Sequence, residues 1–156
     1  MPQVVLQREV WLPQPIDRVF AFFSDATNLE SLTPPWMHFR ILTPTPIPMF
    51  AGQLIDYRLR VRGIPIRWRT RIEAWEPPFR FVDLQLSGPY HLWHHLHSFE
   101  SRDGGTLCGD VVTYRPRGGS LIQRLFVDPD VRRIFDYRAT RMLELLGRAQ
   151  PALATA

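Results

Sequence analysis

The sequence of 156 residues contains no lysine; all of its nineteen basic residues are arginine. Genomic base composition explains so absolute a bias better than function does, so the net charge of +4 is weak evidence about partners. There is one cysteine, Cys108, which excludes an internal disulfide and a zinc site built on several cysteines. No apolar run is long enough to span a bilayer, and the N-terminus lacks a charged-then-apolar leader pattern. A cytoplasmic location without a membrane span is the resulting expectation. Repeats, low-complexity tracts and linkers are absent too. Residues 1–150 therefore read as a single domain and 151–156 as a flexible tail. A chain of this length buries roughly two-thirds of its unfolded surface, enough for a core and a cavity.

Fifteen prolines mark element ends along the chain. Val4 to Leu12 reads as a strand. Pro15 opens a short helix in which Ile16, Val19, Phe20 and Phe23 recur at helical spacing. Thr27-x-x-Glu30 matches a capping box for a second short helix through Leu32, and Trp36 to Thr43 reads as a strand. Pro44 to Phe50 is an irregular loop, either a cover for a pocket or a plain connection. Gln53 to Arg62 and Ile66 to Ala74 alternate around a turn at Gly63-Ile64. Ile55, Tyr57, Leu59, Val61, Ile66, Trp68, Thr70 and Ile72 share one face. The other face carries Arg58, Arg60, Arg62, Arg67, Arg69 and Arg71, with no aromatic residue between them to stack on bases. A solvated sheet surface is expected there rather than a specific nucleic-acid interface.

The organising stretch is Phe79 to Tyr114, three strand-like runs separated by Ser87-Gly88-Pro89-Tyr90 and Arg102-Asp103-Gly104-Gly105. Four of the five histidines fall in it, and alternation puts Trp93, His95, His97 and Phe99 on one face. A turn centred on Asp103-Gly104 sets His97 opposite Asp110, His95 opposite Val112 and Trp93 opposite Tyr114. A three-residue loop at Gly88 sets Asp83 opposite His95. Two histidine–carboxylate neighbours on an aromatic face suit a structural network, a ligand contact or a general base. The opposite face, with Val82, Leu84, Leu86, Leu92 and Leu96, is either an exposed apolar patch or the buried side. Period-two histidines on adjacent strands are insufficient for a metal site, and no metal or other cofactor is expected.

Ser120 to Val127 reads as an amphipathic helix with Leu121, Ile122, Leu125 and Phe126 on one face. Asp128-Pro129 reads as the start of a long helix whose apolar stripe runs from Val131 to Leu146. Arg138 interrupts that stripe. A guanidinium there needs a partner, either Asp83, Asp110 or a ligand carboxylate, or it must snorkel to solvent.

This element order resembles the START-like, or helix-grip, superfamily, which includes polyketide cyclase/dehydrase-like proteins. The more specific likeness, to an uncharacterised bacterial branch, rests on Phe81-x-Asp83-x-Gln85, Gly88-Pro89-Tyr90, Trp93-x-His95-x-His97-x-Phe99, Asp110-x-Val112-x-Tyr114 and Phe135-x-Tyr137-Arg138. The resemblance implies an α+β fold: a curved antiparallel sheet of about seven strands wrapped around a long C-terminal helix, with two short helices after the first strand. It also implies a hydrophobic cavity between sheet and helix. Three functions follow as expectations. The first is a binder of a hydrophobic or amphipathic small molecule, such as a lipid, polyketide or aromatic acid, with Tyr57, Trp68, Trp93, Phe99 and Tyr114 as walls and Asp83, Gln85, His95, His97 and Arg138 orienting the head. The second is a cyclase or dehydratase using His95, His97, Asp83 or Asp110. The third is a protein-interaction domain using the leucine-rich face, in a monomer or homodimer.

Overall fold

The computed structural model describes residues 3–148, so the tail expected at 151–156 lies outside the described residues. Strand β1 (Val4–Leu12) leads into two short helices, α1 (Ile16–Ser24) and α2 (Asn28–Leu32). The short β2 (Arg40–Ile41), then β3 (Leu54–Val61), β4 (Ile64–Glu76), β5 (Arg80–Ser87), β6 (Tyr90–Arg102) and β7 (Gly105–Pro116) follow. All seven form one antiparallel sheet in the order β1-β7-β6-β5-β4-β3-β2. Sequence-adjacent strands make every pairing except one. β1 closes against β7, which places β7 inside the sheet rather than at its edge.

One face of this sheet carries the core, and α4 (Asp128–Leu146) covers it. The stripe on α4 is buried as its spacing requires: Val131, Phe135, Arg138, Met142 and Leu146. Val131 and Phe135 join a cluster with Tyr57, Trp68, Trp93 and Tyr114. Met142 and Leu146 join another, with Phe20, Phe23, Phe81 and Phe99. Arg138 stands between the two, so the core is apolar at both ends and polar at its waist.

The face assignment on β6 follows the alternation: Trp93, His95, His97 and Phe99 are buried. Leu84, Leu92 and Leu96 are half-buried on the outer face, where Leu86 remains 46% exposed. The positive φ values of Asp103 (51°) and Gly104 (75°) define a two-residue hairpin turn. It pairs Arg102 with Gly105, Ser101 with Thr106 and, further in, His97 with Asp110.

Four local expectations are corrected. Thr27 does not cap α2; instead the Asp25 carboxylate accepts the Thr27 backbone N–H (3.0 Å) and hydroxyl (2.6 Å). Trp36 to Thr43 is mostly not strand. Pro34 and Pro35 remove backbone donors and seed a 3-10 turn, Pro35–Met37, which leaves β2 two residues long. The β3–β4 turn is Arg62-Gly63, at φ 49° and 80°, and Ile64 already belongs to β4. Asp128 does not start a separate helix: α3 (Ser120–Ile122) runs through a π turn, Gln123–Val127, directly into α4. The π turn changes the phase of the segment. Gln123 is buried, while Leu121, Ile122, Leu125 and Phe126 are 45–61% exposed.

Candidate functional site

The waist of the core is a network of five side chains from β5, β6, β7 and α4. Asp83, His95, His97 and Asp110 reach it because the hairpin registers align Asp83 with His95 and His97 with Asp110. The hydrogen bonds, however, run diagonally to those pairs. His95 Nε2 is 2.7 Å from Asp110 Oδ1, and His97 Nε2 is 2.6 Å from Asp83 Oδ2. The direct neighbours are farther apart, His97 Nδ1 to Asp110 Oδ1 at 3.6 Å and His95 Nδ1 to Asp83 Oδ2 at 3.7 Å. The expected His97–Asp110 and His95–Asp83 neighbours are therefore in register, while the direct bonds form the crossed pair. Strand side chains lean along the strand, and an imidazole reaches far enough to meet the residue two along on the partner strand, the next on the same face.

Arg138 completes the network. Its Nε donates to Asp110 Oδ2 at 3.3 Å, and its Nη2 lies 3.3 Å from His97 Nδ1. Of the partners foreseen for Arg138, Asp110 is the one present. A guanidinium only donates, so His97 Nδ1 must accept and His97 Nε2 must carry the proton that Asp83 receives. His97 is thereby held neutral. Burial is the first cause, the adjacent His95 ring the second, and together with Arg138 they push its pKa down to about 4 despite the Asp83 bond. Stacking at 3.7 Å between the ring centres of His95 and His97, and at 4.0 Å between those of His97 and Phe81, fixes both planes.

Both carboxyls stay ionised. Burial opposes the charge on Asp110, but Arg138 and the His95 hydrogen bond outweigh it and hold the group well below the ordinary carboxylate range. Asp83 is lowered in the same way: burial is the largest influence and acts upward, while His95, the His97 bond and Arg138 prevail.

A cavity of about 780 Å³ lies between the sheet and α4. Tyr57, Trp68, Trp93, Asp83, His95, His97 and Arg138, all expected at the site, line it. Asp83 is the most accessible member of the network, at 17% of its side chain. Its Oδ1 receives no hydrogen bond among the described residues, and His95 Nδ1 makes none there either. At Asp83 Oδ1 the cavity floor thus presents electron pairs rather than a proton. Asp110 stands behind that floor, not on it.

Three expected wall or head residues serve elsewhere. Phe99 packs against Phe20, Phe23 and Phe81 in the other cluster. Tyr114 is 1% exposed, and its hydroxyl donates to Asp128 at 2.7 Å. Gln85 braces the β5–β6 turn, donating to the Tyr90 carbonyl (2.8 Å) and accepting its N–H (3.2 Å). Conversely, Trp36, Phe39, Tyr90 and Phe135 line the cavity and lie outside the expected set. Phe135 carried a usable signal, since it stands about one helical turn before Arg138 on the same face.

Asp83, His95 and His97 hold one potential metal-binding atom each within 4.8 Å of one another. The network argues against a cation there. Metal on His97 Nε2 would have to displace the proton it gives to Asp83, and the Arg138 guanidinium lies beside the same ring.

A family model described as polyketide cyclase/dehydrase and lipid transport matches residues 12–143. A search of curated proteins gives no match. Among solved structures, the Zhui aromatase/cyclase from Streptomyces sp. R1128 superposes with a TM-score of 0.75 at 16% identity, covering 99% of this chain and 100% of its own. Protein Ms6760 from Mycobacterium smegmatis gives 0.67 at 20% identity, covering 91% and 90%. TTHA0849 from Thermus thermophilus gives 0.62 at 20% identity, covering 92% and 99%. At these identities the likeness establishes the fold, a sheet gripping a long C-terminal helix.

Proposed function

Because the chain belongs to the polyketide cyclase/dehydrase and lipid transport family, we propose that its cavity binds an apolar, largely aromatic small molecule through a proton-donating oxygen head. The polarity of the cavity floor carries this reading. Aromatic walls from Tyr57, Trp68, Trp93 and Phe135 favour a flat apolar body. The floor offers Asp83 Oδ1 as an acceptor, so a hydroxyl, phenol or enol fits. A carboxylate head, the natural partner of a free arginine, does not: Arg138 is already bound to Asp110 and His97, and the head would meet Asp83 instead.

A second reading is supported by one observation, the His95–Asp110 pair. Asp110 receives the Nε2 proton and leaves Nδ1 as a base facing the cavity. On a substrate with several carbonyls, Nδ1 would take a proton from a carbon next to one of them. The resulting enolate carbon would then close on another carbonyl, and the imidazolium would return the proton to the new alkoxide. This is cyclase-type chemistry, and it uses the same ligand pose. Interaction through the leucine-rich outer face gains less support, because Leu84, Leu92 and Leu96 are half-buried there.

Quenching of the cavity tryptophans, Trp68 and Trp93, tests the binding reading with three probes of one shape: β-naphthol, its methyl ether and β-naphthoate. A hydrogen bond to a charged group contributes about 1.5–3 kcal/mol, so naphthol should bind roughly ten- to a hundredfold tighter than the ether. Naphthoate should bind worst. No binding of any probe would refute the cavity as a ligand site; equal binding of naphthol and ether would refute only the head.

A further inference from the structure

Away from the network, the surface around the cavity mouth carries an unusual set of side chains. It is built from two projections. One is the β3–β4 turn, where Arg60, Arg62 and Gly63 line the mouth and Ile64 beside them is 65% exposed. The other is the π turn and its flanks. Ile122 and Phe126 line the mouth there, at 49% and 45% exposure, and Leu121 and Leu125 stand out at 61% and 53%. Trp36, 43% exposed, joins the rim beneath the Arg133 guanidinium, 4.1 Å above its ring. Arg62 ties the two projections together. It lies 4.8 Å over the Phe126 ring and holds both oxygens of Asp130 at 2.9 and 3.0 Å.

The charge on this rim is net positive. Asp130 is engaged by Arg62, and the half-buried Asp128 accepts the Tyr114 hydroxyl. No carboxylate among the described residues pairs with Arg60, Arg124 or Arg133. Exposed aliphatic and aromatic tips interleaved with unpaired arginines match one surface in particular. The apolar tips can enter the headgroup–acyl boundary while the guanidinium groups meet anionic headgroups. We infer that the β3–β4 turn and the helical stretch 121–126 dock this end of the molecule on an anionic lipid bilayer, with the cavity mouth facing the membrane. No described helix is long and apolar enough to cross a membrane, so the docking is peripheral. The inference rests on the rim and holds whatever the cavity binds.

Co-sedimentation with vesicles of phosphatidylcholine, alone or mixed with phosphatidylglycerol, tests it. The full chain should bind the mixed vesicles, release in molar salt, and leave the neutral vesicles largely free. The double substitution Leu121→Ser with Leu125→Ser removes only exposed side chains, and circular dichroism checks that the fold is kept. It should cut partitioning roughly tenfold or more, as the loss of two buried aliphatic chains requires. Arg124→Ser should weaken binding to mixed vesicles alone. Failure to bind mixed vesicles, or equal and salt-insensitive binding to neutral ones, overturns the inference. So does a dimer in solution that the double substitution dissolves while vesicle binding is absent, since the face would then belong to a second copy.

Discussion

Arg138→Met isolates the buried charge network from the rest of the core. Methionine keeps most of the stem volume and the helix propensity, so the change falls on the guanidinium. Two bonds of 3.3 Å disappear, and Asp110 is left with His95 Nε2 as its remaining side-chain partner. Breaking a buried pair on one side costs roughly 3–5 kcal/mol, and bonds of this length argue for about 3 kcal/mol at neutral pH. The cost should depend on pH with a defined sign. Folded Asp110 ionises well below the ordinary carboxylate range, so its contribution is present above about pH 4 and fades as pH falls through the folded value. The variant loses most of that contribution. The gap between wild type and Arg138→Met should therefore be widest near pH 7 and shrink at about pH 3. Adding Asp110→Asn to the variant should restore part of the loss, because no unpaired charge then remains. Urea unfolding at both pH values measures all of this. An unchanged midpoint at pH 7, or a gap identical at both pH values, would refute the argument that Arg138 neutralises Asp110.

Further expectations concern other parts of the molecule. Folded His97 resists protonation down to about 4, whereas the unfolded chain takes the proton near 6.5, so stability should decline by up to about 3 kcal/mol as pH falls between those values. His97→Asn should flatten that slope, which urea midpoints across the window would show. A Cβ at Gly105 would overlap the Leu12 carbonyl oxygen and the Trp11 ring, so Gly105→Ala should lower stability by roughly 1–3 kcal/mol in thermal melts. The arginine stripe should give only weak, salt-sensitive retention of nucleic acid, since Arg69 is bound to Asp56 at 2.8 and 3.0 Å and Arg62 to Asp130. Micromolar binding that survives physiological salt and falls on changing Arg60 and Arg67 to Ser would contradict this.

The alternation of β6 and the Asp103-Gly104 turn made the core face and the strand register legible, because side-chain period and turn type fix both locally. The pairing of side chains across that register was not legible. Register says which Cα atoms face each other, and the crossed His95–Asp110 and His97–Asp83 bonds depend on how the rings lean once packed against Phe81 and Phe135. Arg138 was visible as an anomaly in an apolar stripe, but its partner depended on which strand α4 lies across. Apolar spacing likewise found the face formed by Leu121, Ile122, Leu125 and Phe126, yet could not tell inside from outside. The π turn rotates that segment so that Gln123 faces in. Phe99 and Tyr114 share the inward face with Trp93, and alternation alone could not separate cavity wall from solid core.

A crystal structure of the protein with β-naphthol bound should show the ring system between Trp68, Trp93 and Phe135, with its hydroxyl within hydrogen-bond distance of Asp83 Oδ1. A naphthol whose oxygen points to the cavity mouth, or one bound away from the sheet–helix cavity, would contradict it.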